Sequence, residues 1–166
     1  MNDVRIQLAD LSDDHQAQDV LAMINHYACS SMGQGKPLAK DIQARLIPGL
    51  RQQPNARIFL AYLGSEPIGI AVTFLVFSTF RAKQIINIHD LSVHADHQGK
   101  GIGRKLLDHV KRFAQEQGCG SMTLEVRVDN WPARKLYDSF GFQKVGTELP
   151  DDYELFARLP LDPPVA

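Results

Sequence analysis

The chain has 166 residues, 44% of them apolar, 8% aromatic and 22% charged, which is the composition of an ordinary globular protein and excludes a disordered segment. Lys and Arg number 18 against 19 Asp and Glu, a formal charge of -1, so there is no general attraction to nucleic acid or to an anionic membrane. The two cysteines, Cys29 and Cys119, have no paired spacing, which argues against a disulfide scaffold or a zinc ribbon.

Such a length predicts one domain over residues 1–166, able to bury a core without a covalent staple. The longest apolar run, Ile68 to Phe77, is too short to span a bilayer. Met1-Asn2-Asp3-Val4-Arg5 has neither the basic nor the apolar stretch of a secretory signal, and a reducing cytoplasm is the expectation. Val4 to Leu8 alternates apolar and polar residues and reads as a strand. Asp13 and Asp14 are candidate caps for a helix from about Gln16 to Ser31, with Val20, Leu21, Ile24 and Ala28 on one face. Ser30 to Pro37 reads as a loop, and a second helix from about Ala39 to Arg51 is expected to kink or break at Pro48. Ile58 to Leu63, Gly64-Ser65-Glu66-Pro67 and Ile68 to Phe77 form a hairpin pattern.

Ile85 to Val93 reads as a further strand, followed by glycine-rich punctuation and the clearest helix in the chain. Ile102, Leu106, Leu107, Val110, Phe113 and Ala114 repeat at helical spacing, and Gly118 stands at the helix's C-terminal glycine position. Met122 to Val128 is another strand. Pro132 fits the first turn of a last helix carrying Ala133, Leu136, Tyr137 and Phe140 on one face. Gln143 to Val145 and Tyr153 to Leu159 complete the pattern as strands. The order β-α-α-β-β-β-α-β-α-β-β predicts a mixed α/β layer fold, antiparallel at first and with a parallel crossover near the middle.

Gln98-Gly99-Lys100-Gly101-Ile102-Gly103-Arg104 lies between a strand and an amphipathic helix. Glycines at a helix start let a ligand approach unpaired backbone N–H groups at the positive end of the dipole, which suits a phosphate. The other reading is a tight turn whose glycines serve geometry alone. No Gly-Lys-Ser/Thr follows, and Arg104 stands where a dinucleotide loop has its third glycine. With the preceding Asp90-Leu91-Ser92-Val93, however, Gln98-x-x-Gly101-x-Gly103 resembles motif A of the GNAT superfamily of N-acetyltransferases. Asn130-Trp131-Pro132-Ala133-Arg134-Lys135-Leu136-Tyr137-Asp138-Ser139-Phe140-Gly141-Phe142 is similar to its second signature, Asn-x-x-Ala-x-x-Leu-Tyr-x-x-x-Gly-Phe. The two occur in the family's order, and the resemblance runs from the first strand to Leu159.

The resemblance implies transfer of an acetyl group from acetyl-CoA to an amine by direct attack in a ternary complex, with no metal. It implies about four helices around a mixed sheet, antiparallel in its N-terminal part, whose central parallel strands splay into a V that takes the pantetheine arm. Backbone N–H groups of Gln98, Gly99, Lys100, Gly101, Ile102, Gly103 and Arg104 would hold the pyrophosphate. The Leu91-Ser92-Val93 strand would carry pantetheine, paired at Leu91 and Val93. Asn130 and Ala133 would adjoin the arm, and Arg104 and Lys135 are candidates for the nucleotide phosphates or solvated helix charges. Tyr137 matches the family acid that protonates the departing thiolate; a phenol of pKa ~10 suits that task. His89 stands where many relatives have Glu, either as the base or as a core histidine. Asp90 is the other catalytic candidate, as the base in place of His89 or a water chain, or it binds the substrate's ammonium or caps a loop. On a regular strand His89 and Asp90 point to opposite faces.

Phe77-Ser78-Thr79-Phe80 is similar to the Tyr-Ser-Thr-Trp segment of diamine and thialysine acetyltransferases, which implies a small primary amine, polyamine-like, lysine-like or an amino acid, as acceptor. A protein or peptide amine and a silent CoA sensor are the alternatives, and a homodimer rests on family analogy. Asp90, Asp151, Asp152 and Glu154 either attract a cationic amine or form an ordinary acidic surface. His94 and His97 read as solvated loop residues, and their spacing with His89, Asp90 and Asp96 matches no familiar metal set. Cys29 and Cys119 read as packing, and Trp131 as an adenine platform, an exposed aromatic or a dimer contact.

Overall fold

The computed structural model describes residues 4–144 and 154–161. The sheet runs in the order β1-β2-β3-β4-β5-β7-β6. β1 (Val4–Leu8), β2 (Ala56–Leu63), β3 (Glu66–Ser78) and β4 (Lys83–Val93) pair antiparallel with their neighbours. β4 then pairs parallel with β5 (Ser121–Arg127), and β7 (Glu154–Pro160) lies antiparallel between β5 and β6 (Gln143–Lys144). Val145, Tyr153, Asp151, Asp152 and the side chain of Glu154 lie outside the described residues.

Apolar side chains on the two sheet faces make two cores. On one face Val20 and Met23 of α1 (Asp14–Cys29) and Ile47 of α2 (Lys40–Arg51) pack on Ile58, Leu60, Ile70 and Val72. On the other, α3 (Ile102–Glu116) lays Leu106, Leu107 and Val110 over Ile86, Ile88, Met122 and Leu124, joined by Tyr137 of α4 (Trp131–Phe140). α1 starts earlier than its apolar pattern suggests because the Asp13 carboxylate accepts from the His15 and Gln16 N–H groups. α2 runs on through Pro48. The proline lies in the helix's last third, where a missing N–H costs one bond while the remaining ladder continues.

Two irregularities shape the centre. The β3–β4 register shifts between Val72 and Thr73, which face Asp90 and Ile88, so His89 is the extra residue of a β-bulge. The β4–β5 ladder covers only Ile86 to Ile88 against Met122 to Leu124. Past it, β4 stays with β3 as far as Val93 while β5 stays with β7 as far as Arg127. The sheet therefore opens into a V immediately beyond Ile88.

Candidate active site in the V of the sheet

The bulge changes which way β4 points. Before it, the Gln84 C=O accepts from the Gly120 N–H (2.8 Å), so even-numbered backbone groups face β5. After it, the His94 N–H donates to the Ile68 C=O (2.8 Å), and alternation then assigns Ser92 and Asp90 to β3. Leu91 and Val93 consequently turn their N–H and C=O groups into the opening of the V. The Val93 C=O accepts from the Gln98 side-chain amide (3.1 Å), which folds the following loop back on the strand.

The same slip sets the side chains. Ile88, Leu91 and Val93 all pack toward α3. Asp90 faces the α1 side opposite Val72, and His89 meets Phe74 of that same face edge-on, centroids 5.7 Å apart. The opposite faces expected for His89 and Asp90 are thus corrected: the bulge turns both to the α1 side. The core-histidine reading also falls, because His89 is exposed.

Two adjoining cavities fill the V, of about 260 Å³ and 660 Å³. They share Tyr27, Met32, Leu91, Asn130 and Tyr137 at their junction. The smaller is lined by His89 and Asp90 on one arm and by Glu125 and Arg127 on the other. Burial pushes the Asp90 carboxyl above its usual range, opposed in part by His89. Tyr137 is 7% exposed; burial, then Tyr27 and Asp90, hold its phenol well above the ordinary value.

The larger cavity leads from that junction to the start of α3. Leu91, Ser92, Val93, Gln98, Gly99, Gly101, Ile102, Gly103 and Arg104 line one side, and Asn130, Ala133 and Tyr137 another. Gly99 and Gly101 hold φ of 72° and 77°, the left-handed region glycine adopts freely. No side chain caps α3 and no acidic residue occupies its first turn. The first helical bond runs from the Lys105 N–H to the Gly101 C=O (3.1 Å), so the amides of Ile102, Gly103 and Arg104 precede the ladder. Unpaired N–H groups at the positive end of the helix dipole form a cradle suited to an anion. The Gln98 N–H donates to the Ala95 C=O (3.3 Å) and stands outside it.

Of the anticipated residues, Lys100 and Lys135 line neither cavity: the Lys100 ammonium bonds the Asp96 C=O (2.8 Å), and Lys135 is exposed. Asn130 lines both and also caps α4, its side-chain oxygen accepting from the Ala133 N–H (3.3 Å). Sequence reasoning overlooked Tyr27, Met32 and Glu125. For Glu125 a signal existed, a lone carboxylate between Leu124 and Val126 in the strand Ser121–Arg127. Cys29, expected to pack, is exposed and lines the larger cavity, whereas Cys119 is buried as expected. His94, expected to be solvated, stacks on His26 at 4.2 Å. Trp131 is 67% exposed beneath the Arg134 guanidinium, 4.4 Å from its ring centre. Phe77-Ser78-Thr79-Phe80 sits at the β3–β4 turn and lines neither cavity.

A family model described as the Acetyltransferase (GNAT) family matches residues 21–142, most of the chain and all of this cleft as far as Tyr137. The chain belongs to the GNAT acetyltransferase family. It is 36% identical over 97 residues to streptothricin acetyltransferase of Streptomyces lavendulae, covering 58% of this chain and 50% of that protein. Over 59 residues it is 48% identical to the N-alpha-acetyltransferase RimI of Mycobacterium tuberculosis, covering 36% and 35%. The chain thus spans half or less of these curated relatives' length. The fold of this GNAT chain is that of the ribosomal-protein-alanine N-acetyltransferase from Brucella melitensis, with a TM-score of 0.71 at 20% identity over 89% of this chain and 97% of that one. It also matches a chain of the NatC complex bound to Gag peptide and CoA, with a TM-score of 0.71 at 19% identity over 96% and 99%. Among the described residues no helix is long and apolar enough to cross a membrane, and no three His, Cys, Asp or Glu residues are grouped to hold a metal.

Proposed function

We propose that the chain is an acetyl-CoA-dependent N-acetyltransferase acting on a primary amine by direct attack in a ternary complex. The observation that carries this reading is one cleft with a backbone anion cradle at one end and Asp90 and Tyr137 at the other. The residues suit the cofactor. The α3 amides complement a pyrophosphate. Leu91 and Val93 offer main-chain groups to an amide-bearing arm, and Gly99 and Gly101, with open space where a Cβ would stand, keep the cradle free of bulk. Bound there, acetyl-CoA supplies an activated acetyl group.

The chain's own residues do the rest. Asp90 and Glu125 face one another across the smaller cavity and hold the acceptor's ammonium. Asp90, with its carboxyl raised by burial, takes the proton that frees the amine lone pair, directly or through water. His89 at the rim is the alternative proton acceptor. Tyr137 stays a neutral phenol across the working pH range because its pKa is raised, and it gives its proton to the departing thiolate sulfur. Two carboxylates about the acceptor cavity favour a cationic small amine. A peptide amino group is the second reading, supported by the 48% identity to an N-alpha-acetyltransferase.

The test is thiol release from acetyl-CoA across polyamines, lysine analogues, amino acids and peptides, with Tyr137→Phe alongside. Release with one amine class, strongly reduced in the variant, is expected. Saturable acetyl-CoA binding with no release on any amine would point to a CoA sensor instead, and no binding would overturn the reading.

A further inference from the structure

A contact between two histidines joins parts of the cleft that lie far apart in the sequence. His26, in the last turn of α1, lies face to face with His94, ring centroids 4.2 Å apart and planes within 16°. His94 is the first residue beyond β4. Its N–H closes onto Ile68 (2.8 Å), and its Nδ1 accepts from the Asp96 N–H (3.4 Å), capping the 3-10 turn Ala95–His97. That turn leads through Gln98 to Gly99, where the glycine run before α3 begins. The ring pair therefore ties the helix that carries Tyr27 to the loop that sets the cradle.

The surroundings make the pair sensitive to protons. His97 approaches His94 edge-on at 6.1 Å, and the Asp96 carboxylate lies 3.7 Å from His94 Nδ1. Lys100 is held on the Asp96 C=O, and Cys29 of α1 lines the same cavity as His26 and His97. Among the described residues Asp96 is the one carboxylate set against the stacked rings, so a second proton on the pair brings like charges together. A proton on His94 Nδ1 also removes the acceptor that caps the turn. Burial, then His94, already hold His26 below the usual histidine value, with Asp96 acting in the opposite direction.

We infer that His26 and His94 are positioning residues forming a proton-released latch, which when neutral holds the 94–99 loop in place for the cofactor phosphates. This rests on the acetyl-CoA reading of the cleft. The sign follows from linkage. A histidine whose pKa is lowered in the latched form stabilises that form fully above its unlatched pKa and loses the contribution as pH falls through the lowered one. Affinity for CoA therefore weakens on acidification.

The experiment measures CoA binding by calorimetry to the wild type, His26→Phe and His26→Ala at about pH 7.5 and about pH 5.5. Histidine ring signals of the ligand-free protein are followed by NMR alongside. Phenylalanine keeps an aromatic face and takes no proton. Acidification is expected to raise the wild-type Kd about fivefold more than that of His26→Phe, a cofactor titration common to both cancelling in the comparison. His26→Ala should bind more weakly than His26→Phe at the higher pH. In the ligand-free protein His26 should titrate below about 6.5 and move back toward it in His94→Gln. Equal acid ratios in the wild type and His26→Phe, or a His26 titration indifferent to His94→Gln, would overturn the latch. Tighter binding in acid that is lost in His26→Phe would make His26 a phosphate ligand and overturn it too. No CoA binding by any form would instead strike the cofactor reading, and the NMR titration would still decide the latch.

Discussion

At the end proposed for the cofactor phosphates the cleft is backbone: the amides that open α3 and glycines held at positive φ, all within Gly99 to Arg104. At the end proposed for the acceptor amine it is side chains from four elements, Tyr27 of α1, Asp90 of β4, Glu125 of β5 and Tyr137 of α4. The first end is specified by one short run of residues, because a helix start and a glycine conformation are local properties. The second exists only after the sheet has formed, and it depends on where a ladder slips and where two strands part. Binding at the first end should therefore respond mildly and additively to substitution. Chemistry at the second should respond steeply.

The steepest response is expected at Tyr137. Tyr137→Phe removes the proton donor and little volume, and kcat should fall about 10²–10⁴-fold, the usual worth of a general acid. Thiol release at saturating acetyl-CoA measures it. Because its phenol is raised above the ordinary value, Tyr137 should impose no alkaline limb on the rate below about pH 10. An alkaline limb lost in Tyr137→Phe would show that the burial argument is wrong.

Next in size is the pair that faces across the V. Asp90→Asn should lower kcat about 10²-fold or more and abolish the acid limb of the rate profile, which lies above the usual carboxylate range because burial raises Asp90. Glu125→Gln should chiefly raise the acceptor KM. The reverse pattern, an acid limb surviving in Asp90→Asn and lost in Glu125→Gln, would move the base from β4 to β5. Stability should change in the opposite sense. A carboxyl whose pKa is raised on folding costs stability as pH rises through that value, so Asp90→Asn should melt higher than the wild type at neutral pH, by a margin that shrinks as the pH falls below that value.

How much of this the sequence shows follows the same division. The strand and helix order, the cap at Asp13, the left-handed glycines and the position of Tyr137 on the apolar face of α4 are all readable, because each depends on a few neighbouring residues. Nothing in Ile88-His89-Asp90-Leu91 announces a bulge. Its existence is decided by the partner strand, where Val72 and Thr73 take up the slip. From a regular alternation one places His89 and Asp90 on opposite faces, and the slip reverses that. Glu125 was visible as an odd carboxylate in β5, but its relation to Asp90 needs the strands to separate beyond Ile88. His26 and His94 stand 68 positions apart, the difference of their numbers, and no periodicity links them.

The phosphate end should give smaller effects. Gly101→Val puts a β-branched residue at φ 77°, with open space around the new Cβ, so nothing in the protein clashes, and backbone strain and added bulk in the cradle both act on the ligand. Left-handed backbone costs a non-glycine residue roughly 1–2 kcal/mol. If the cradle must hold that conformation to bind, the acetyl-CoA Kd should rise on the order of tenfold. A Kd unchanged by calorimetry would mean that the amides after Gly101, and not its own conformation, set the cradle.

Smallest of all is the difference between two cations that the sequence presents as equals. Arg104 lines the larger cavity, its guanidinium 5.5 Å from the Phe140 ring centre and 3.4 Å from the Ser139 hydroxyl. Those two contacts hold an exposed charge at the phosphate end and lower the entropy lost when it meets an anion. Lys135 lines neither cavity and, among the described residues, is exposed with no side-chain hydrogen bond or ion pair to orient it. Arg104→Ala should therefore raise the acetyl-CoA Kd roughly 3- to 5-fold, an effect that fades in high salt, as expected of an exposed pair. Lys135→Ala should change it less than about 2-fold at any salt concentration. Equal losses in the two variants would show that the nucleotide end is held by diffuse positive charge, and that Phe140 and Ser139 do nothing to aim Arg104.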